Sequence, residues 1–394
     1  EHVHKGIRFK AVGAEDAIDD VAIEDNVFSD ADSGGVELAD GTIYSRTEGP
    51  MGRLYGVRVM RNRFDHIGMR PDLFGQGTAL SVCYAETAEI AGNIFHRVCA
   101  QGIDVHGAKQ NRAATHRPFT RILIHHNKAV DTLLNNDDFG GIETWQGGPA
   151  YVYNNISGNP GGYRNWDHVL SPDTEDRFGH AFYLDGAFKN YYFNNIAWGK
   201  SKGPSGKLAN TSAFQEIISF ENTIFNNTVF NFVRGSRRQE PQAGRVKFLG
   251  NIWQSMGLSV FRDADPAGNG QGAEDSDGKP SRVVFAIETD AYARNVFQDI
   301  GVGEGFAVFE PSGRWYKSLE EFRAALERYQ PLAAEVGVMA DQPPLRDAPA
   351  HDFRPSLNSA ARGRGAKVFV PWSLYETVAE WHFYPVRVDP TRIL

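Results

Sequence analysis

Three short segments carry side chains that could work together on a polar substrate. They are Gly102-Ile103-Asp104-Val105-His106, Gly141-Ile142-Glu143-Thr144-Trp145 and Ala181-Phe182-Tyr183-Leu184-Asp185. Each alternates with the period of a β-strand, so Ile103, Val105, Ile142, Thr144, Phe182 and Leu184 point inward and the residues between them outward. Stacked as neighbouring strands, the segments put Asp104, Glu143 and Tyr183 in one column and His106, Trp145 and Asp185 in a second. Adjacent strands lie about 4.8 Å apart and residues i and i+2 about 6.8 Å. Asp104 and Glu143 are therefore expected about 5 Å apart, and Glu143 and Asp185 roughly 8 Å apart on the diagonal. A carboxyl pair at about 5 Å suits a retaining mechanism at a glycosidic bond, and one at about 6.5–9.5 Å an inverting mechanism. One carboxyl protonates the leaving oxygen while the other activates water or attacks the sugar. Crowding three carboxylates also raises at least one pKa, as a general acid requires. The competing readings are a solvated acidic stripe, or a Ca²⁺ ion held by Asp104 and Glu143.

Two loops flank this patch. The loop from Gly107 to Thr120 carries Lys109, Arg112, His116 and Arg117, and Arg121, His125 and His126 follow it. A basic run in a chain of net charge −8 points to an anionic substrate group such as a uronate or a sulfate ester. The loop from Gly158 to Gly179 carries Tyr163, Arg164, Trp166, Asp167 and His168. Aromatic rings beside carboxylates suit the C–H faces of sugars. The expected substrate-binding set is Trp145, Tyr183, Trp166, Arg112, Arg117, His116, Arg164, His168, His180 and Asp138, whereas Tyr153 and Phe193 read as core. The chain has no CxxC, HExxH, P-loop or GxSxG motif, so metal, nucleotide and serine-hydrolase chemistry find no support.

The element that must position these strands repeats along the chain. Nine segments share an apolar stretch, an Asn and two mostly apolar residues, centred on Asn26, Asn62, Asn93, Asn127, Asn155, Asn195, Asn227, Asn251 and Asn295. The first and last are 269 residues apart over eight intervals, about 34 per repeat, and single intervals run from 24 to 44. A fixed motif with elastic spacing means one structural coil with loops of variable length. Asn tolerates left-handed backbone at a turn, and its buried amide can bond the equivalent Asn above and below. A β-sandwich would show turns every 8–12 residues instead. The fold expected is all-β: a single-stranded right-handed parallel β-helix of about nine coils over residues 1–310, with a C-terminal capping segment over 311–394. That segment holds one helix at about 318–329, where Ser318 and Glu321 have capping-box spacing and Phe322 and Leu326 share a face. The helix and the tail are expected to cover the last open coil. Asp263 to Arg282 reads as a long loop.

Composition narrows the partners. The acidic balance argues against nucleic acid, and no stretch approaches 18 uninterrupted apolar residues, so no membrane span is expected. Glu1 is not a natural start, which fits a trimmed N-terminus. Cys83 and Cys99 are the only cysteines. They fall on neighbouring coils, where one bridge is conceivable and two thiols are the simpler expectation.

The Asn-centred coils, the Gly-Gly-Ile-Glu of 140–143 and the Tyr-Leu-Asp-Gly of 183–186 resemble bacterial, pectate-lyase-like β-helix carbohydrate-active proteins. They are most similar to fucosidase- and xylanase-type β-helix glycoside hydrolases. The tail from Asp352 to Ala361 also looks like the closing segment of such solenoids. The resemblance implies carboxylate catalysis on the solenoid face, at Asp185 and at Glu143, in a secreted or periplasmic protein. The function expected is hydrolysis of a complex, acidic or sulfated polysaccharide without a cofactor, with Glu143 and Asp185 as acid and base and Asp104 or His106 tuning them. The alternatives are a polysaccharide lyase using His106 or Tyr183 as base, with Ca²⁺ assisting, and a non-catalytic glycan-binding solenoid.

Overall fold

A computed structural model describes residues 3–11, 15–39, 52–69, 77–107, 121–162, 178–202, 206, 208–239, 244–264, 286–301, 303–310, 313–329 and 335–367. The chain winds as a right-handed parallel β-solenoid, and each coil contributes a strand to three stacks. The first stack includes Arg63–Ile67, Ile94–Val98, Lys128–Val130, Ile156–Gly158 and Ile196–Trp198, all in parallel register. The second includes Leu80–Cys83, Ile103–His106, Phe139–Trp145, Gly179–Asp185 and Ser212–Ile217. The third is a nine-stranded parallel sheet running from Ala22–Glu24 to Ala291–Ala293.

The corner between the third and first stacks is where the repeated Asn sits. All nine align, and from Asn62 onward each side-chain oxygen accepts from the amide of the preceding Asn. Asn155 is fully buried. Its backbone N–H and its Nδ2 donate to Asn195 Oδ1 at 2.9 and 3.2 Å, and Nδ2 also donates to the Ile124 carbonyl at 2.8 Å. Its own Oδ1 accepts from the backbone N and Nδ2 of Asn127, both at 3.0 Å. The left-handed backbone, however, belongs to the residue before each Asn: Asp25, Arg61, Gly92, His126, Asn154, Asn194, Asn226, Gly250 and Arg294 all have φ between 52° and 67°. The ladder Asn is thus selected for its amide and not for its φ.

Inside, like residues stack on like. Phe28, Phe64 and Phe95 lie face to face at 4.8 Å spacings. Ile103, Val105, Ile142, Thr144, Phe182 and Leu184 are fully buried, as alternation requires. The inward column that holds Val105, Thr144 and Leu184 then turns ionic, continuing through Glu216, Arg238 and Asp263 in register. Arg238 pairs with Asp263 at 3.1 Å and with Asp290. Three carboxylates face one guanidinium in a dry lumen, so protons must stay on some of them. Burial pushes Glu216 and Asp263 up to about 7, against the pull of Arg238.

Parallel pairing continues past residue 310: Gly337–Met339 stacks on Asn295–Ile300. Between them the helix Leu319–Leu326 closes the lumen. Ser318 Oγ accepts from the Glu321 N–H at 3.2 Å, and Glu321 accepts from the Lys317 N–H at 2.7 Å. Phe322 plugs the end against Tyr292 and Phe309. The described part of the tail, up to residue 367, does something else. Leu345–Asp347 and Asp352–Pro355 form an antiparallel pair, and Phe353 lies along the outside of the first stack against Trp198 and Phe230. Asp263 belongs to the strand Ile252–Ala264 and not to a loop; residues 265–282 lie outside the described residues. Cys83 and Cys99 form no disulfide, and among the described residues no helix is long and apolar enough to cross a membrane.

Two outcomes test this architecture. Asn155→Ala should cost about 1–3 kcal/mol in denaturant unfolding, because it strands buried donors of Asn127. Glu216 has a folded pKa raised above its unfolded value near 4.3, so the stability tied to its proton is full at low pH and lost as pH rises through about 7. The melting temperature of the native chain should therefore fall relative to that of Glu216→Gln between pH 5 and pH 8. A pH-independent difference would contradict the charge arrangement in the lumen.

Candidate functional site

The second stack carries two columns on its outward side, and the register matches the sequence expectation pair by pair. Ser81, Asp104, Glu143, Tyr183 and Gln215 are successive Cα partners, as are Cys83, His106, Trp145 and Asp185. The columns are not solvated, however. Asp104 and Glu143 keep 4% and 2% of their surface exposed, and His106 and Tyr183 are equally buried. Alternation reports which side of a strand a residue takes, and not what lies over that side. Only the last residues of the strands, Trp145 and Asp185, are half-exposed.

Burial decides the electrostatics. Glu143 is held well above the usual carboxylate range by desolvation first, then by the charges of Asp104 and Asp185; the Gly140 N–H, donating to its Oε2 at 3.2 Å, pulls the other way. The Gln101 amide also donates to that oxygen at 3.3 Å. Burial pushes Asp104 up to about 7, partly offset by the Ser81 hydroxyl donating to its Oδ2 at 3.0 Å. The other Asp104 oxygen is buried with no hydrogen-bond partner. Tyr183 donates to Asp138 Oδ1 at 3.0 Å. Its phenol is raised well above normal by burial, then by Asp138 and Asp185.

His106 packs between two rings, Trp145 at 4.0 Å and Tyr84 at 5.0 Å between centroids. Ligand-type atoms of Cys83, Asp104 and His106 lie within 4.8 Å of one another. That thiol, carboxylate and imidazole would suit a Zn²⁺-type ion with an open position, whereas Ca²⁺ prefers six or more oxygens. A metal at this point is a chemistry that motif spacing did not reveal, because its three ligands come from strands of two different coils.

Asp138 and His180 join the patch. His180 packs edge-on against Phe178 at 4.6 Å and Tyr183 at 5.5 Å. Arg112, His116, Arg117, Arg164, Trp166 and His168 lie outside the described residues, as do Lys109, Tyr163 and Asp167. His125 does not extend the site: it belongs to the strand Arg121–His125 of the third stack and bonds Glu89 at 3.1 Å. Tyr153 and Phe193 are not core residues either. They are half-buried on the outer side of that stack, in a face-to-face ladder with His125 and Phe225 at 4.8–5.0 Å. Rings stacked on each other in this way present edges outward, which does not suit sugar stacking.

Sequence reasoning missed Gln101, and it missed how the first column ends. Past Gln215 the column continues through Arg237 and Arg262. Arg237 stands ten residues after Asn227, much as Asp104 stands eleven after Asn93, so the repeat itself was the signal. Elsewhere, a groove of about 900 Å³ lined by Trp198, Phe230 and His351 holds Asp131 and Asp299. Those two sit at turns five coils apart, on the order of 24 Å, too far for an acid and base pair. Comparison with known proteins gave no matching family model, no matching curated protein and no matching solved structure.

Proposed function

We propose that the protein is a glycoside hydrolase acting on a complex, acidic or sulfated polysaccharide, with Glu143 as general acid and Asp185 as general base. One observation carries the reading. Glu143 is a buried carboxyl held well above its ordinary pKa by desolvation and then by Asp104 and Asp185, a shift toward the protonated form that a leaving-group acid needs. Asp185 reaches solvent on the diagonal from it, roughly 8 Å away by strand geometry, which favours an inverting mechanism with water between the two carboxyls. Trp145, half-exposed beside them, offers a ring to a sugar. The burial of Glu143 sets a condition: a glycan must displace what packs over the carboxyl before its glycosidic oxygen can reach it.

A secreted or periplasmic location accompanies this reading, since polymeric glycans are met there. The lyase alternative with Tyr183 as base is less favoured, because burial and neighbouring carboxylates resist formation of the phenolate. A non-catalytic glycan-binding solenoid would bind without turnover.

The test is a panel of neutral, uronate-containing and sulfated polysaccharides, followed by reducing ends and by the ultraviolet absorbance of unsaturated uronates. Glu143→Gln and Asp185→Asn should each lower kcat by about 100-fold or more with the fold intact. The native pH–rate profile should be bell-shaped and belong to the coupled carboxyls as a group. Its alkaline limb, where Glu143 loses its proton, should vanish in the residual activity of Glu143→Gln. Full activity in both variants would sink the two-carboxylate mechanism; new reducing ends without absorbance mark hydrolysis, and reducing ends accompanied by the absorbance would favour the lyase.

A further inference from the structure

The outward column that begins in carboxylates ends in arginines, and the arginines are not alike. Arg234 Nε donates to Glu304 at 2.9 Å and its Nη1 to Asn210 at 2.6 Å. Arg262 pairs with Glu304 and with Glu310 at 2.6 Å. Both are neutralised by their neighbours. Arg237, three residues beyond Arg234 on the same strand and the register partner of Arg262 on the next coil, is not. Among the described residues its contacts are one hydrogen bond, from Nη1 to Gln215 Oε1 at 3.0 Å, and the face of Phe178 at 4.7 Å. Among the described residues no carboxylate pairs with it, although Asp138 lies close enough for its charge to be felt. Burial, and then Arg234 and Arg262, lower its pKa to about 10, so it remains a cation at neutral pH.

An unpaired and largely desolvated guanidinium is costly to the fold. It persists where something outside the chain completes it. Two buried side-chain nitrogens, one from Gln215 and one from His180, have no hydrogen-bond partner near it. Because Gln215 gives its oxygen to Arg237, its amide nitrogen is left over, and that nitrogen has no partner. His180 holds Ser212 Oγ at 2.7 Å through Nδ1, and its Nε2 has no partner. Burial and then the charges of Arg237 and Arg234 keep this imidazole neutral. A guanidinium fork beside an amide N–H₂, and an imidazole that donates from Nε2 when Ser212 Oγ donates to its Nδ1, match a planar or tetrahedral oxyanion.

We propose that Arg237, with the amide of Gln215 and the imidazole of His180 beside it, forms an anion subsite that takes a uronate carboxylate or a sulfate ester of the substrate. Arg237 lies three coils from Glu143 along one column, on the order of 14 Å. The acidic end of the face then holds the bond to be broken, and the cationic end holds a charged sugar a few units along the chain. The polymer would run parallel to the solenoid axis. This deepens the hydrolase reading and rests on it for the word substrate, but anion binding itself does not require turnover.

The experiment uses the full chain, with inorganic sulfate, glucuronate and glucose as probes, followed by calorimetric titration and thermal melting. Sulfate or glucuronate should bind at one site and raise the melting temperature, and glucose should do neither. Arg237→Gln should weaken that binding by about tenfold or more and abolish the ligand-induced shift. Arg237→Lys should retain part of it, as a charge without the fork. The ligand-free melting temperature of Arg237→Gln should stay level or rise, since an unpaired buried charge has been removed; a purely structural arginine would lower it. A preference for sulfate over glucuronate identifies a sulfated glycan, and the reverse a uronate. Anion binding that Arg237→Gln leaves unchanged, or no anion binding by the native chain, overturns the subsite. If anion binding follows Arg237 while no glycan is hydrolysed, the subsite stands and the hydrolase reading falls.

Discussion

A chain of buried amide hydrogen bonds sets the height and register of every coil. From Asn62 onward each ladder oxygen takes two N–H groups from the Asn one coil away, and each ladder Nδ2 also binds a backbone carbonyl, as at Asn62, Asn93 and Asn127. Because these amides are out of water, an unmade bond costs more than a made one gains. The ladder therefore tolerates insertions of any length between coils but no slip at the corner. A slip of one residue would turn the outward columns into the lumen. The distance between Asp104 and Glu143 is, in this sense, set at Asn93 and Asn127.

The same regularity produces long-range order in charge. On the outside, one column passes from Asp104 and Glu143 through Tyr183 and Gln215 to Arg237 and Arg262. In the lumen, an apolar column gives way to Glu216, Arg238 and Asp263 over the same later coils. A solenoid stacks identical positions about 4.8 Å apart, so every charged side chain meets its equivalents in adjacent coils whether or not they suit it. Where signs alternate the stack is ion-paired. Where they repeat, protons must be retained or an outside ligand admitted.

Much of this was legible in the sequence. The Asn repeat gave the fold, and period-two alternation gave the inward set and the column partners of Asp104, Glu143, Tyr183 and Asp185. Burial was not legible, since alternation cannot say what covers an outer face. Neither was the ionic lumen: inward positions are expected to be apolar, and Glu216, Arg238 and Asp263 satisfy one another only after three coils have been stacked. Cys83, Asp104 and His106 converge for the same reason, from two coils with no shared motif. The ladder aromatics Tyr153 and Phe193 read as core because a stack of rings shields its members from water without entering the lumen.

A comparison within one column shows how little separates a carboxylate held charged from one held protonated. Glu37 and Glu143 occupy equivalent outward positions, joined through Ser81 and Asp104. Both are buried, at 3% and 2% exposure. Burial pushes Glu37 up as it does Glu143, but Lys5 and Lys10 outweigh it and hold the carboxyl below its ordinary value. Arg8 adds a hydrogen bond at 3.1 Å. Those cations come from the strand Lys5–Lys10, which stacks on the first coil. At Glu143 the neighbours above and on the diagonal are Asp104 and Asp185, and the shift reverses. Desolvation is common to both positions, so the occupants of adjacent coils decide whether the group favours its charge or its proton. Function in such a scaffold can be changed by altering a neighbouring coil while the responding residue stays the same.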